Sequence, residues 1–287
     1  MAFLDKAKRK FKYIIPTGVK KAMKYCLYSL QDFWSFVTGK GVKGYPPKRL
    51  NFVGSGEFMK IGEEFLKHFK KIGGLKSSNT VLDIGSGIGR MAIPLARYLD
   101  TNKGEYYGFD IDKRGVKWCK NNVSIKYPHF NFEYVDIYNK YYNKKGKIKA
   151  NKFVFPYKNE MFDFVFATSV FTHMLPDQIE QYLSEIKRVL KPGGKIFLTF
   201  FSLDKEAIQN IKKKISYCDF GYTYDEAGNC MYSHKDVPEA EIGYKEKWII
   251  DQLKKSGISE ELEIYHGGWS GRKNPYSYQD IICAQKK

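Results

Sequence analysis

Ten residues, Val81 to Arg90 (VLDIGSGIGR), constrain the fold of this chain more than any other stretch. Val81-Leu82-Asp83-Ile84 is a short apolar run that ends in glycine, which suits a buried parallel strand. Gly85-Ser86-Gly87-Ile88-Gly89 follows as a turn whose backbone can come close to a bound molecule, because its glycines carry no side chain. From Arg90 onward Met91, Ile93, Leu95, Ala96 and Leu99 give a helical pattern. A strand, a glycine turn and a helix in that order form the opening unit of a nucleotide-binding α/β fold. The dinucleotide fingerprint requires glycine where Arg90 stands, so the pattern here is Asp-x-Gly-x-Gly-x-Gly.

The segments that follow keep the alternation. Tyr106 to Asp110 reads as a second strand closed by an acid, and one carboxylate can accept hydrogen bonds from both hydroxyls of a ribose. Asp110 lies 25 positions after Gly85, near the spacing of about 20 for such an acid. Asp112 competes for the role, and a solvated turn aspartate is the plain alternative. A helix over 113–127 leads to a third strand, Phe130 to Val135, which ends in Asp136-Ile137. Residues 139–152 (NKYYNKKGKIKANK) are polar and basic and read as a surface loop. Met161 to Ala167 gives the fourth strand, and the turn Ser169 to His173 leaves its carboxyl end, where open α/β sheets receive ligands. A helix reaching Leu190, the turn Lys191-Pro192-Gly193-Gly194 and a fifth strand, Lys195 to Phe201, come next. The tail adds a helix (246–255) and strands at 261–266 and 279–285. This order predicts a parallel sheet with crossover connections.

The phrases VLDIGSGIGR, FDFVFATSVFTH and EIKRVLKPGGKIFLTF together resemble the class I S-adenosylmethionine (SAM) dependent methyltransferases, over about residues 52–287. The resemblance is closest to a bacterial branch that includes small-molecule and glycan-modifying enzymes. It implies a Rossmann-like α/β fold: a mostly parallel seven-stranded sheet, helices on both faces, and an antiparallel last strand. Residues 51–287 are then the catalytic domain, with 202–245 as a substrate or lid insertion and 1–50 as an N-terminal helical extension. The implied cofactor is SAM, held by Asp83, Gly85, Ser86, Gly87, Gly89, Arg90, Asp110, Ile111, Asp136, Ile137 and Ser169. Asp136 takes the adenine amino group in this reading, and Ile137 packs on the ring; a plain strand-ending aspartate is the alternative. A helix over 57–72 roofs the cofactor, with Gly54 to Phe58 near it, or simply packs Phe58 in the core.

Because SAM carries its methyl on a sulfonium, the protein's tasks are to align an acceptor, exclude water and remove a proton where the acceptor is a hydroxyl. His173 is the candidate base, since histidine titrates near neutrality; the rival reading has it bonded to backbone and shaping the pocket. Residues 202–245 are long for a connection. Their Tyr217, Tyr222, Tyr224, Tyr232 and Tyr244, with Asp219, Asp225, His234 and Asp236, suit a small or glycan-like acceptor methylated on oxygen, or else cover the domain. Cys218, Cys230 and His234 match no closed metal-site spacing, so no metal is expected. Arg272 could fork onto an acidic acceptor or stand in solvent.

Composition bounds the remaining possibilities. Five scattered cysteines with no CxxC pair argue for a reducing compartment. No apolar run spans a bilayer and the first residues lack a signal-peptide core, so a cytoplasmic protein is expected. The net charge is +18, and residues 1–50 hold 12 Lys/Arg against Asp5 and Asp32, leaving +8 for the rest. Val19, Ala22, Met23, Cys26, Leu27, Leu30, Phe33, Trp34 and Val37 recur at helical spacing beside Lys20, Lys21 and Lys24. Residues 1–40 thus read as a basic amphipathic segment for an anionic membrane surface, peripheral to its inner face, or as a helix docked on the main domain. The charge also raises an RNA methyltransferase as an alternative. Its concentration before the catalytic domain, and the lack of an NPPY-like motif after the fourth strand, argue against nucleic acid. A non-catalytic scaffold is a further alternative, opposed by the intact glycines, Asp110 and Asp136.

Overall fold

A computed structural model describes residues 26–34, 37–38, 44–50, 57–259 and 261–287. The chain divides into two compact units, Met1–Gly56 and Glu57–Lys287. In the first, residues 26–34 are helical, and Leu27, Leu30, Phe33, Trp34 and Val37 are each more than half exposed. The Asp32 carboxylate accepts the backbone N–H groups of Lys48 (2.7 Å) and Arg49 (3.0 Å), tying a 3-10 turn, Lys48–Leu50, to that helix. The rest of the expected amphipathic segment, and Gly54 to Gly56, lie outside the described residues.

In the second unit β1 (Thr80–Ile84), β2 (Glu105–Asp110), β3 (Phe130–Tyr134), β6 (Phe162–Ala167) and β7 (Leu190–Phe200) run parallel. The seven-stranded order is β12-β13-β7-β6-β1-β2-β3, where β12 is Leu262–Tyr265 and β13 is Asp280–Gln285. β13 lies antiparallel to both its neighbours. Central strands buried on both faces account for their continuous apolar runs: Val81, Leu82, Ile84 and Phe164 to Ala167 are all buried. Helix α1 (Phe58–Lys71) turns Phe65 and Phe69 inward, and Phe69 packs 4.5 Å from Phe166 and 4.8 Å from Phe197, centroid to centroid.

The glycine turn passes into helix α2 (Ala92–Tyr98), two residues later than the sequence pattern suggests, because residues 87–91 are spent on turns. Helix α3 (Lys113–Cys119) opens on Asp112, whose carboxylate caps it by accepting the Arg114 N–H, and passes into a π-helical turn, Lys120–Ser124. It can approach the glycine turn only because residue 115 is glycine: a Cβ there would stand 2.6 Å from the Gly87 carbonyl oxygen. Helix α4 (Pro176–Val189) starts with proline at its first turn and buries Ile179, Tyr182, Leu183, Ile186 and Val189 on one face.

Two sequence expectations change. Lys191 to Gly194 is not a free turn, because β7 starts at Leu190 and the pairing jumps from Phe162–Leu190 to Phe164–Lys195, absorbing the glycines as an irregularity within the ladder. Residues 139–152 are not a loose loop either: β4 (Ile137–Tyr138) pairs with β5 (Ile148–Lys149), and a 3-10 turn, Ala150–Lys152, packs on the core. Residues 202–245 form a layer of their own, β8 (Ser202–Leu203), β9 (Tyr222–Thr223), β10 (Cys230–Tyr232) and β11 (Ile242–Lys245), in the order β8-β11-β10-β9. Helix α5 (Lys205–Lys212) belongs to this layer, and helix α6 (Glu246–Lys255) follows it.

Candidate active site

The carboxyl ends of β1, β2, β3 and β6 meet around the glycine turn. The N–H groups of Gly85 and Ser86 donate to the Phe109 carbonyl (2.9 and 3.1 Å), which clamps the turn to the end of β2. Gly85 has φ +80°, and a Cβ there would stand 2.5 Å from Val170 Cγ2, so both conformation and space demand glycine. Asp110 is the hinge of the arrangement. Its Oδ2 accepts the Gly87 N–H at 2.7 Å and its Oδ1 accepts the Asp112 N–H at 2.6 Å. Each oxygen keeps a further lone pair. Burial pushes this carboxyl up to about 6, against the pull of those two N–H groups. Asp112, the competing acid, is occupied as the cap of α3.

Asp83 is more deeply enclosed. Tyr106 donates its hydroxyl to Oδ2 at 2.6 Å, while Oδ1 is buried with no partner among the described residues. Burial pushes the carboxyl up to about 8; the Tyr106 hydrogen bond opposes the rise and the charge of Asp110 adds to it. The Ser86 hydroxyl is also buried without a partner, and the space a Cβ would take at Gly87 is open. A carboxyl oxygen and a hydroxyl without partners among the described residues thus stand beside an open glycine. That donor set suits a ligand bearing ammonium, carboxylate and ribose groups.

Of the adenine candidates, Ile111 is partly buried against the core, whereas Ile137 is buried and held in β4 opposite Ile148. Asp136 uses Oδ1 to accept from the Tyr134 hydroxyl (2.9 Å) and the Asn143 amide (3.4 Å). Its neighbour Val135 donates its N–H to the Asp110 carbonyl, which brings the ends of β2 and β3 together. Arg90 places its guanidinium 5.6 Å from the Phe58 ring centroid, over the start of α1. Ser169 adopts φ +58°, a left-handed conformation that costs a non-glycine residue about 1 kcal/mol. Its N–H donates to Thr199 Oγ1 (2.8 Å), and both hydroxyls donate to Gln279 Oε1 (3.0 and 2.7 Å).

His173 ends a 3-10 turn, Phe171–His173, beyond β6. Its Nδ1 is 2.9 Å from the Glu239 carbonyl and its Nε2 is 3.3 Å from the Tyr142 hydroxyl. A carbonyl only accepts, so Nδ1 carries the proton and Nε2 the lone pair. Burial lowers the imidazole's pKa, opposed by the Glu239 carbonyl and the charge of Glu241, so the ring is neutral at neutral pH. Tyr141 and Tyr142, read from the sequence as loop residues, flank this ring. Asn139 places them: its Oδ1 accepts the N–H groups of Tyr141 (3.0 Å) and Tyr142 (2.9 Å), while its Nδ2 donates to the His173 carbonyl (3.1 Å). The asparagine ahead of two tyrosines was the available signal, since asparagine side chains bond to backbone just downstream.

Arg272, by contrast, is not solvent-exposed. It pairs with Asp204 and with Glu206 (3.2 Å), leaving 9% of its side chain accessible. His266 donates to Glu246 at 2.6 Å beside it. Asp204, Glu246 and His266 lie within metal-ligand reach of one another, with Asp204 also paired to Arg272 and Glu246 bonded by His266.

Comparison with known proteins bears on the same region. Residues 82–198 match the family described as a methyltransferase domain. The chain is 28% identical over 155 residues to phosphoethanolamine N-methyltransferase 2 of Caenorhabditis elegans, covering 53% of this chain and 30% of that one. It is 29% identical over 194 residues to the ubiquinone/menaquinone biosynthesis C-methyltransferase UbiE of Wigglesworthia glossinidia brevipalpis, covering 65% and 70% of the two chains. The chain thus spans less than a third of the first relative's length. Among solved structures, the PH0226 protein of Pyrococcus horikoshii superposes with a TM-score of 0.54 at 19% identity, over 83% of this chain and 95% of that one. The sheet, with its reversed β13, is that of the Rossmann-like SAM-dependent methyltransferases.

Proposed function

We propose that the methyltransferase domain of this chain uses SAM to methylate an oxygen of a small or glycan-like acceptor. The observation that carries the reading is the junction of Asp110 with the glycine turn. A half-buried carboxylate with lone pairs to spare stands where it can accept from two ribose hydroxyls, bonded to a turn beside which Asp83 Oδ1 and Ser86 Oγ have no partner among the described residues. In this reading Gly85 to Gly89 receive the methionine and ribose portion. Asp110 takes the ribose, and Ile111, Ile137 and Asp136 take the adenine. Arg90 and Phe58 close the near side, and Ser169 backs the pocket where β6 ends.

When bound, SAM supplies an electrophilic methyl group on a sulfonium. The protein's own contribution is alignment, exclusion of water and acceptance of the acceptor's proton, and a neutral His173 with its lone pair on Nε2 suits the last task. A base on this wall suits an acceptor that loses a proton on methylation, and in this reading that acceptor is a hydroxyl. The tyrosine-rich layer over 202–245 favours a sugar-like body, since Tyr222 and Tyr232 stack at 5.5 Å on its surface. The exposed Leu27, Leu30, Phe33, Trp34 and Val37, in a segment with a basic excess, favour an acceptor presented at an anionic membrane surface.

Calorimetry with SAM and with its demethylated product tests the cofactor reading, with micromolar binding by the full chain as the expected result. Absence of heat with either compound overturns it. Transfer of labelled methyl to nucleotide sugars, lipid-linked sugars, phenols, amines and RNA then tests the acceptor; product only on amines or RNA rejects the oxygen assignment.

A further inference from the structure

We propose that Tyr142 relays the acceptor's proton to His173, so that the base is reached through the tyrosine hydroxyl rather than directly. The inference rests on the methyltransferase reading above and adds a catalytic residue to it. The Nδ1 proton of His173 is committed to the Glu239 carbonyl (2.9 Å), so Nε2 alone can take up a proton. The atom facing Nε2 is Tyr142 Oη at 3.3 Å. A hydroxyl beside a lone pair donates to it, which leaves the oxygen's own lone pairs available to a second donor. The Tyr142 side chain is 41% exposed and so can be approached from outside, whereas Nε2 is covered by its hydroxyl.

The arrangement is held rather than incidental. Tyr142 stands perpendicular to the imidazole (89°, centroids 5.1 Å apart), and Tyr141 lies parallel to it (7°, 6.3 Å). Asn139 fixes both backbone N–H groups and the His173 carbonyl. Partial enclosure of the phenol, with the charges of Tyr141 and Asp110 adding to it, disfavours its ionisation, so the tyrosine passes a proton on as a neutral hydroxyl. The groups facing the imidazole are the Glu239 and Ala240 carbonyls, the Glu241 carboxylate, Tyr141 and Tyr142, and none of them is a cation.

The acceptor hydroxyl donates to Tyr142 Oη while a bond forms between its oxygen and the methyl carbon. The carbon–sulfur bond breaks and its electron pair stays on sulfur. The acceptor's proton moves to Oη, the phenol's own proton moves to Nε2, and the positive charge lost from sulfur reappears as an imidazolium bonded to the Glu239 carbonyl.

Two measurements on the full chain test this. Without cofactor, 15N imidazole NMR of wild type, with His173→Asn identifying the signal, should show the neutral Nδ1–H form. Tyr142→Phe keeps the ring and removes the donor, and should move the Nε2 resonance and raise the imidazole pKa. With labelled SAM and the sugar and phenol panel, Tyr142→Phe and His173→Asn should each lower kcat about 100-fold at an unchanged KM for SAM. The double variant should be no slower than either single one. Tyr138→Phe, on the neighbouring β4, serves as the control and should keep the wild-type rate. A Tyr142→Phe rate within threefold of wild type, additive losses, or an unmoved Nε2 resonance would overturn the relay. So would a wild-type chain that binds SAM yet transfers methyl to no hydroxyl; a chain that binds no SAM fails the methyltransferase reading instead.

Discussion

Asp83 and Asp110 sit one strand apart, and burial raises both, yet their surroundings make them different groups. Asp110 has two backbone N–H groups to hold its charge, while Asp83 has a single tyrosine hydroxyl and one oxygen with no partner among the described residues. Asp83 therefore keeps its proton up to about pH 8 in the folded chain, against 3.8 for the unconstrained side chain. A group whose pKa is higher folded than unfolded favours folding at low pH, and the advantage drains away as pH rises between those values. Asp83→Asn removes this titration, so its melting temperature should gain on wild type steadily from about pH 4 to pH 8 and level off above. Parallel melting curves for the two proteins across that range would refute the protonated state. At this scale legibility followed sequence distance. Asp110 was readable from its spacing to the glycine turn. Tyr142 was not, because the histidine it bonds lies 31 positions further on and joins it only through the β4–β5 pairing.

The elements were readable where a single periodicity ruled and obscure where an element changes character midway. β1 and β6 follow from mostly apolar runs, and α4 from a steady helical periodicity. β7 does not, because its glycines are turn residues by composition yet lie inside a ladder that shifts register around them. Hardest to foresee was the joint between the main sheet and the 202–245 layer. Asp280, the first residue of β13, buries its carboxylate there and accepts from Ser202 N–H (2.7 Å), Gly267 N–H (2.7 Å) and Trp269 Nε1 (2.6 Å). These donors come from β8 and from the turn after β12, two segments that meet only in the folded chain. Asp280→Ala leaves three buried donors without an acceptor, at about 1–3 kcal/mol each. Urea unfolding should show a loss of at least about 3 kcal/mol. A loss below about 1 kcal/mol would mean that water replaces the carboxylate and that the joint is not sealed.

For the whole molecule, the distribution of charge matters more than its sum. The segment before residue 51 carries +10 of the net +18, and its described helix presents Leu27, Leu30, Phe33 and Trp34 to solvent, with Val37 exposed beyond it. An exposed apolar stripe set in a cationic segment has two forces available at an acidic bilayer. Each Lys or Arg near the surface contributes about 1 kcal/mol, and each large apolar side chain that leaves water contributes about 1.5–3 kcal/mol. The charge component is screened over about 10 Å at 0.1 M salt and about 3 Å at 1 M, whereas the apolar component is not. The two can therefore be separated. The full chain should sediment with vesicles containing acidic phospholipid at low salt, and much less in 1 M salt or with vesicles of zwitterionic lipid alone. Replacing Leu30, Phe33 and Trp34 together by serine should weaken sedimentation at both salt concentrations, while calorimetric affinity for SAM stays unchanged. Equal sedimentation by the serine variant and wild type, or by a chain lacking residues 1–48, would assign the stripe to packing within the protein and leave the acceptor with no reason to be membrane-bound.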